Sequence, residues 1–218
     1  MQIYDITASI SENLPGYAGA RHSVSNVMKL SNGDMCNLSA IEFSSHAGTH
    51  ADVPYHFIQD GKNLDEISLE HFYGTAQLFR IKITDNIQVS DINHLKIKEG
   101  EIVLFDTGQS DYMSNPVFKE DYFALSPEAA EYLASKRVKT VGIDYLSIDP
   151  YNAEGFPAHK ALLGNGICIL EGLVLKDVPE GEYTLSALPL KFSGGSGSPV
   201  RAVLVRKYRL YAHTIDEL

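Results

Sequence analysis

The sequence predicts an α/β domain: a mixed β-sheet, barrel-like at its core, with flanking helices. Three observations point there. Strand signals outnumber helix signals and the two kinds alternate along the chain, which suits a layered sheet with crossover helices rather than a bundle. The composition is that of an ordinary globular protein, 44% hydrophobic and 21% charged over 218 residues, a length that can bury about 70% of the unfolded surface. No internal repeat or linker-like stretch interrupts the chain, so residues 1–218 are expected to form a single domain.

The strand signals are short runs rich in Ile, Val, Phe and Tyr, residues that fit a pleated surface. They fall at 2–8, 37–43, 76–83, 101–106, 140–143 and 167–170, with a longer last run at 200–210. A helix is expected from Ser126-Pro127-Glu128, which offers an N-cap, a proline at the first helical position and an acid in the first turn. It continues over 129–137 with Ala129, Tyr132 and Leu133 as its apolar stripe and ends on Lys136 and Arg137. A second helix is expected over 158–163, stopped by Gly164-Asn165-Gly166, and a weaker one over 65–72. The glycine-rich run 193–199 reads as a loop between strands, a turn rather than an anion cradle. Arg201, Arg206, Lys207 and Arg209 alternate in the last strand signal and are expected at solvated positions.

The chemistry of the surface narrows the partners. With 28 acids against 18 bases, the net charge of −10 repels phosphate backbones, which argues against nucleic acid and anionic membranes. No apolar run approaches the roughly 18 residues of a membrane span. The N-terminal residues lack the basic-then-apolar pattern of a secretion signal, so a cytoplasmic protein is expected. Cys36 and Cys168 share no CxxC spacing and read as two reduced core thiols.

The informative segment is His46-Ala47-Gly48-Thr49-His50-Ala51-Asp52-Val53-Pro54-Tyr55-His56. His50, Asp52 and His56 share parity, so in extended chain their side chains emerge on one face. His46 lies four residues before His50, a spacing that converges over one helical turn. Gly48 permits a tight turn between them, and Pro54 pushes Val53 away from helix. Imidazole nitrogen beside carboxylate oxygen, with no cysteine nearby, suits an open zinc or manganese site rather than a closed structural zinc. Two more polar residues sit at the ends of apolar elements, His159 at a helix start and Glu171 at a strand end. Spacing alone leaves each equally readable as a further ligand or as an ordinary helix-end histidine and rim glutamate.

These residues resemble the cyclase-like metal hydrolases, the group of bacterial kynurenine formamidases and isatin hydrolases. The resemblance rests on His46-x-Gly48-Thr49-His50-x-Asp52-x-Pro54-x-His56 and continues through 141–150, Pro157-Ala158-His159, 163–166, 170–173 and 197–202. It implies a swivelling β/β/α fold and a homo-oligomer, dimer or tetramer. It also implies two divalent ions, zinc first and manganese second. His46, His50 and Asp52 would hold one ion, Asp52 and Glu171 would bridge to the other, and His159 would complete it. His56 would be the catalytic proton donor and acceptor. The implied activity is hydrolysis of a small aryl or cyclic amide, arylformamidase first, as in tryptophan catabolism. Isatin-like opening of a lactam or lactone, or carbamate hydrolysis, is the alternative. A metal-binding protein without turnover is the reading from another class, and His56 beside a complete ligand set speaks against it. Where the formamidases carry a tryptophan against the substrate ring, this chain has Tyr17 and no tryptophan anywhere. Tyr17 is expected either to face the substrate or to pack on the core.

Overall fold

A computed structural model describes residues 1–206. In chain order the strands are β1 (Gln2–Asp5), β2 (Ser23–Met28), β3 (Leu38–Glu42), β4 (His50–Asp52), β5 (Tyr73–Arg80) and β6 (Ile102–Asp106). They continue with β7 (Thr140–Ile143), β8 (Cys168–Glu171), β9 (Gly181–Ser186), β10 (Gly197–Pro199) and β11 (Val203–Arg206). The α-helices are α1 (Val89–Ile92), α2 (Pro127–Ser135) and α3 (Pro157–Gly164).

Nine strands form one curled sheet in the order β1-β11-β9-β5-β6-β7-β8-β4-β10, while β2 and β3 pair separately. The middle of the sheet, β5 to β8, is parallel, and each step between neighbours passes through a helix. Of these, β6, β7 and β8 are covered on both faces and read as continuous apolar runs, whereas β5 alternates buried and exposed positions. In β6, Val103 and Phe105 pack with α2 and α3, whereas Ile102 and Leu104 point into the core enclosed by the curl. The flanking pairs are antiparallel. They carry the polar residues of the site to the edge of the parallel strip.

The α/β expectation holds, with local differences. Ser126 caps α2 by accepting from the Ala129 N–H at 3.1 Å, with Pro127 next in line. The helix expected over 65–72 is a single 3-10 turn, Leu69–His71. That run has too little chain after its Ser68 cap, because Tyr73 already enters β5. The glycine-rich run is not all loop: Gly197–Pro199 forms β10 against β4. Cys168 is buried, but Cys36 is exposed beside Met28 on the β2–β3 arm, so only one thiol is in the core. Arg201 pairs with Asp5, its Nε 3.0 Å from Oδ1. Residues 207–210 of the last strand signal, with Lys207 and Arg209, lie outside the described residues. Among the described residues no helix is long and apolar enough to cross a membrane.

Candidate metal centre

Three short segments build the site. A turn at Gly48, whose φ is +61°, leads into β4. Strand β4 lies antiparallel between β8 and β10, which puts His50 opposite Glu171 and Asp52 opposite Gly197. A side chain at Gly197 would sit 2.5 Å from both the Ala51 carbonyl oxygen and His46 Cε1, so this crossing requires glycine. His56 does not arrive on the extended strand that parity suggested. Val53 is extended as Pro54 demands, but Pro54–His56 is a 3-10 turn that folds His56 back. His159 stands in the first turn of α3, against the same point.

His46, His50, Asp52, His56, His159 and Glu171 are thereby brought together. His46 Nδ1 lies 2.6 Å from Asp52 Oδ1, and its Nε2 lies 2.9 Å from Ser196 Oγ. His50 Nε2 is 3.5 Å from Asp52 Oδ1 and 3.3 Å from Glu171 Oε2. His159 Nε2 is 3.5 Å from Asp52 Oδ2 and 3.2 Å from Glu171 Oε1. His56 stacks on His46 with ring centroids 3.8 Å apart. Ligand atoms of His50, Asp52 and Glu171 lie within 4.8 Å of one another, and so do those of His46, Asp52 and His56.

The electrostatics are those of a site built for positive charge. Asp52 and Glu171 are both buried, and two unpaired carboxylates in that position are costly. Burial pushes Asp52 up, but His50, His159 and His46 hold it well below the usual carboxylate range. Burial and Asp52 likewise push Glu171 up, and His159 and His50 bring it down. Burial would lower His50, yet Asp52 raises it to about 9. Asp52 Oδ2 is the one buried side-chain oxygen among the described residues without a hydrogen-bond partner. His50 and His159 each give Nδ1 to an acceptor, the Gly48 carbonyl at 2.8 Å and Asp149 Oδ2 at 2.6 Å, and turn Nε2 inward. An orphaned carboxylate oxygen beside the oriented His159 imidazole, with His50 turned to the other oxygen of the same carboxylate, fits a divalent cation with nitrogen and oxygen ligands.

The centre forms one wall of a cavity of about 300 Å³ whose other walls are Tyr17, Phe57, Leu146 and Phe156. Tyr17 lines the cavity and packs edge-on against Phe118 and Tyr151. Burial holds His56 down at about 4, leaving its imidazole neutral at pH 7. A larger surface hollow of about 510 Å³ beside Asp5 and Arg201 lacks any such cluster.

Contributors missed from sequence include Asp149, Ser196, Phe57, Leu146 and Phe156. Asp149 lies ten residues before His159, and Ser196 lies 150 residues after His46. The only local signal was for Phe156, which stands before Pro157 at the expected helix start and takes φ +52°.

The "Putative cyclase" family model matches residues 4–150. A kynurenine formamidase of Erythrobacter litoralis is 34% identical over 205 residues, 93% of each chain. A solved structure described as a "potential metal-dependent hydrolase with cyclase activity" superposes with a TM-score of 0.83 at 37% identity, covering 95% of this chain and 99% of that one. Isatin hydrolase A of Labrenzia aggregata superposes with a TM-score of 0.80 at 26% identity, covering 94% of both chains.

Proposed function

The chain belongs to the cyclase family, and from that premise we propose that it is a metal-dependent hydrolase of a small aryl or cyclic amide, with arylformamidase as its lead activity. The observation that carries this reading is the buried Asp52–Glu171 pair, with one oxygen unpartnered, set against a cavity lined by Tyr17, Phe57 and Phe156. His46, His50 and Asp52 would hold one divalent ion; Asp52, Glu171 and His159 would hold a second. Nitrogen and oxygen donors with no thiolate suit both zinc and manganese, and the three imidazoles put zinc first. When bound, such ions lower the pKa of water to about 7 and polarise a carbonyl oxygen.

The chain's own residues do the rest. Asp52 and Glu171, acceptors with no proton of their own, fix the negative wall of the site. His56, half-buried and neutral, has a ring nitrogen free to take the proton of the attacking water and return it to the departing nitrogen. Tyr17, Phe57 and Phe156 offer ring faces and edges to a planar aryl group and keep bulk water from the reacting carbonyl. The same slot suits a fused lactam, which keeps isatin-like ring opening as the second reading.

We place the enzyme in the cytoplasm, where its two free cysteines stay reduced, and infer that it works as a homo-oligomer, a dimer first. The β2–β3 arm supports this: Val24, Val27, Leu38 and Ile41 are exposed on an arm whose charges, Arg21, Lys29, Asp34 and Glu42, balance. The test is metal analysis followed by assay of N-formylkynurenine, formanilide and isatin, with and without chelator. Stoichiometric metal with chelator-sensitive hydrolysis of a formanilide is expected. Bound metal with no chelator-sensitive turnover of any of the three would leave a metal-binding protein without catalysis.

A further inference from the structure

We propose that Asp149 is the positioning residue that fixes His159 for the second ion, and that it does so while capping helix α3. This rests on the metal reading above and goes beyond it, since Asp149 is not among the ligands. Asp149 is buried in the loop after β7. Its Oδ1 accepts from the Ala158 N–H at 2.8 Å, and its Oδ2 accepts from the His159 N–H at 2.9 Å and from His159 Nδ1 at 2.6 Å.

Helix α3 has no side-chain cap of its own, because Phe156 enters it in the left-handed region and carries no acceptor. The first N–H groups of a helix need a partner, and a carboxylate there is favoured by the helix dipole. A cap alone, however, needs only the backbone bonds. The third bond commits Nδ1 of the imidazole, so Nε2 has one direction left, toward Asp52 and Glu171.

The loop that carries Asp149 is itself held. The Tyr122 hydroxyl donates to the Asp149 carbonyl at 2.8 Å, and the Asp149 N–H donates to Ser147 Oγ at 3.2 Å. The neighbouring Ile148 N–H donates to Glu171 Oε1 at 2.6 Å. One loop therefore orients both His159 and Glu171. His50 is oriented differently, by the neutral Gly48 carbonyl. This asymmetry means that Asp149 serves one ion and not the other.

The experiment is zinc competition against a chromophoric chelator for the wild type, Asp149→Asn, His159→Ala and the double variant, with melting curves for each. Asp149→Asn is expected to weaken one of two ions by about 10–100-fold and to leave the other unchanged. That loss should vanish in the His159→Ala background, whereas the fall in Tm from the lost cap should persist there. Unchanged affinity, or an equal loss without His159, would reduce Asp149 to a helix cap and overturn the proposal. Should Asp149→Asn fail to fold, nitrogen-15 histidine spectra of the zinc-loaded wild type decide it. A protected proton on His159 Nδ1 supports the proposal, and one on Nε2 overturns it. A wild type that takes up no zinc overturns the metal reading and this inference together.

Discussion

His56 is the residue on which turnover is expected to depend without metal depending on it. It stacks on His46, lies 6.0 Å from His159 between ring centroids, and borders the cavity. His56→Ala should keep both ions while kcat falls by about 10²–10⁴, the usual worth of a proton-transfer group. The comparison is His50→Ala, measured by metal content and rate together. If His56→Ala sheds metal as His50→Ala does, His56 is a ligand, a role its distance to His46 and Asp52 also permits. Four of the six polar residues of the centre were legible because they fall within eleven positions, whereas position alone left His159 and Glu171 open and only the family resemblance singled them out. Asp149 was not legible, because a carboxylate in a loop has many surface uses and only the fold brings it to His159. Ser196 was hidden likewise, inside a glycine-rich run that reads as a turn.

At the scale of elements, the parallel strip was readable and its antiparallel margins were less so. Strands β6, β7 and β8 are buried on both faces and carry unbroken apolar runs, whereas β9 has only Tyr183 and Leu185 facing inward and β2 alternates with serine and asparagine. The ends of β6 and β7 are tied by Asp144, whose carboxylate accepts from the Thr107 N–H at 3.1 Å, Thr107 Oγ1 at 2.6 Å and the Gln109 N–H at 2.7 Å. Burial outweighs those bonds and pushes Asp144 from 3.8 up to about 6. The folded carboxyl thus binds its proton more tightly than the unfolded one. Its stabilising contribution is complete below about 3.8 and fades as pH rises through about 6. Urea melts of the wild type and Asp144→Asn should therefore show the wild type losing about 2 kcal/mol of its margin between about pH 4 and about pH 7. A margin that stays flat or grows over that range would mean that the three donors hold the carboxylate ionised in the fold.

For the whole molecule, the question is how two chains of net charge −10 could associate. Long-range repulsion disfavours contact unless the touching surfaces are apolar and balanced in charge. Residues 21–42 meet both conditions: Arg21 and Lys29 offset Asp34 and Glu42, and Val27 and Ile41 are 58% and 57% exposed. A two-stranded hairpin is marginal in water by itself, so the arm would gain order under a second copy in the proposed dimer. It also leaves the cavity wall after Ala20 and rejoins it at Ser44, which ties the seating of the arm to the rim of the site. Val24 and Ile41 face each other across the strands, so changing both to serine strips one face of the arm without adding charge. Light scattering should give twice the chain mass for the wild type and the single-chain mass for Val24→Ser/Ile41→Ser, with unchanged circular dichroism. Because the arm frames the cavity rather than the ions, KM should rise more than kcat falls, and bound metal should not change. A monomeric wild type at micromolar concentration, or a double variant that stays dimeric, would remove the arm from the assembly and leave its apolar face to some other contact.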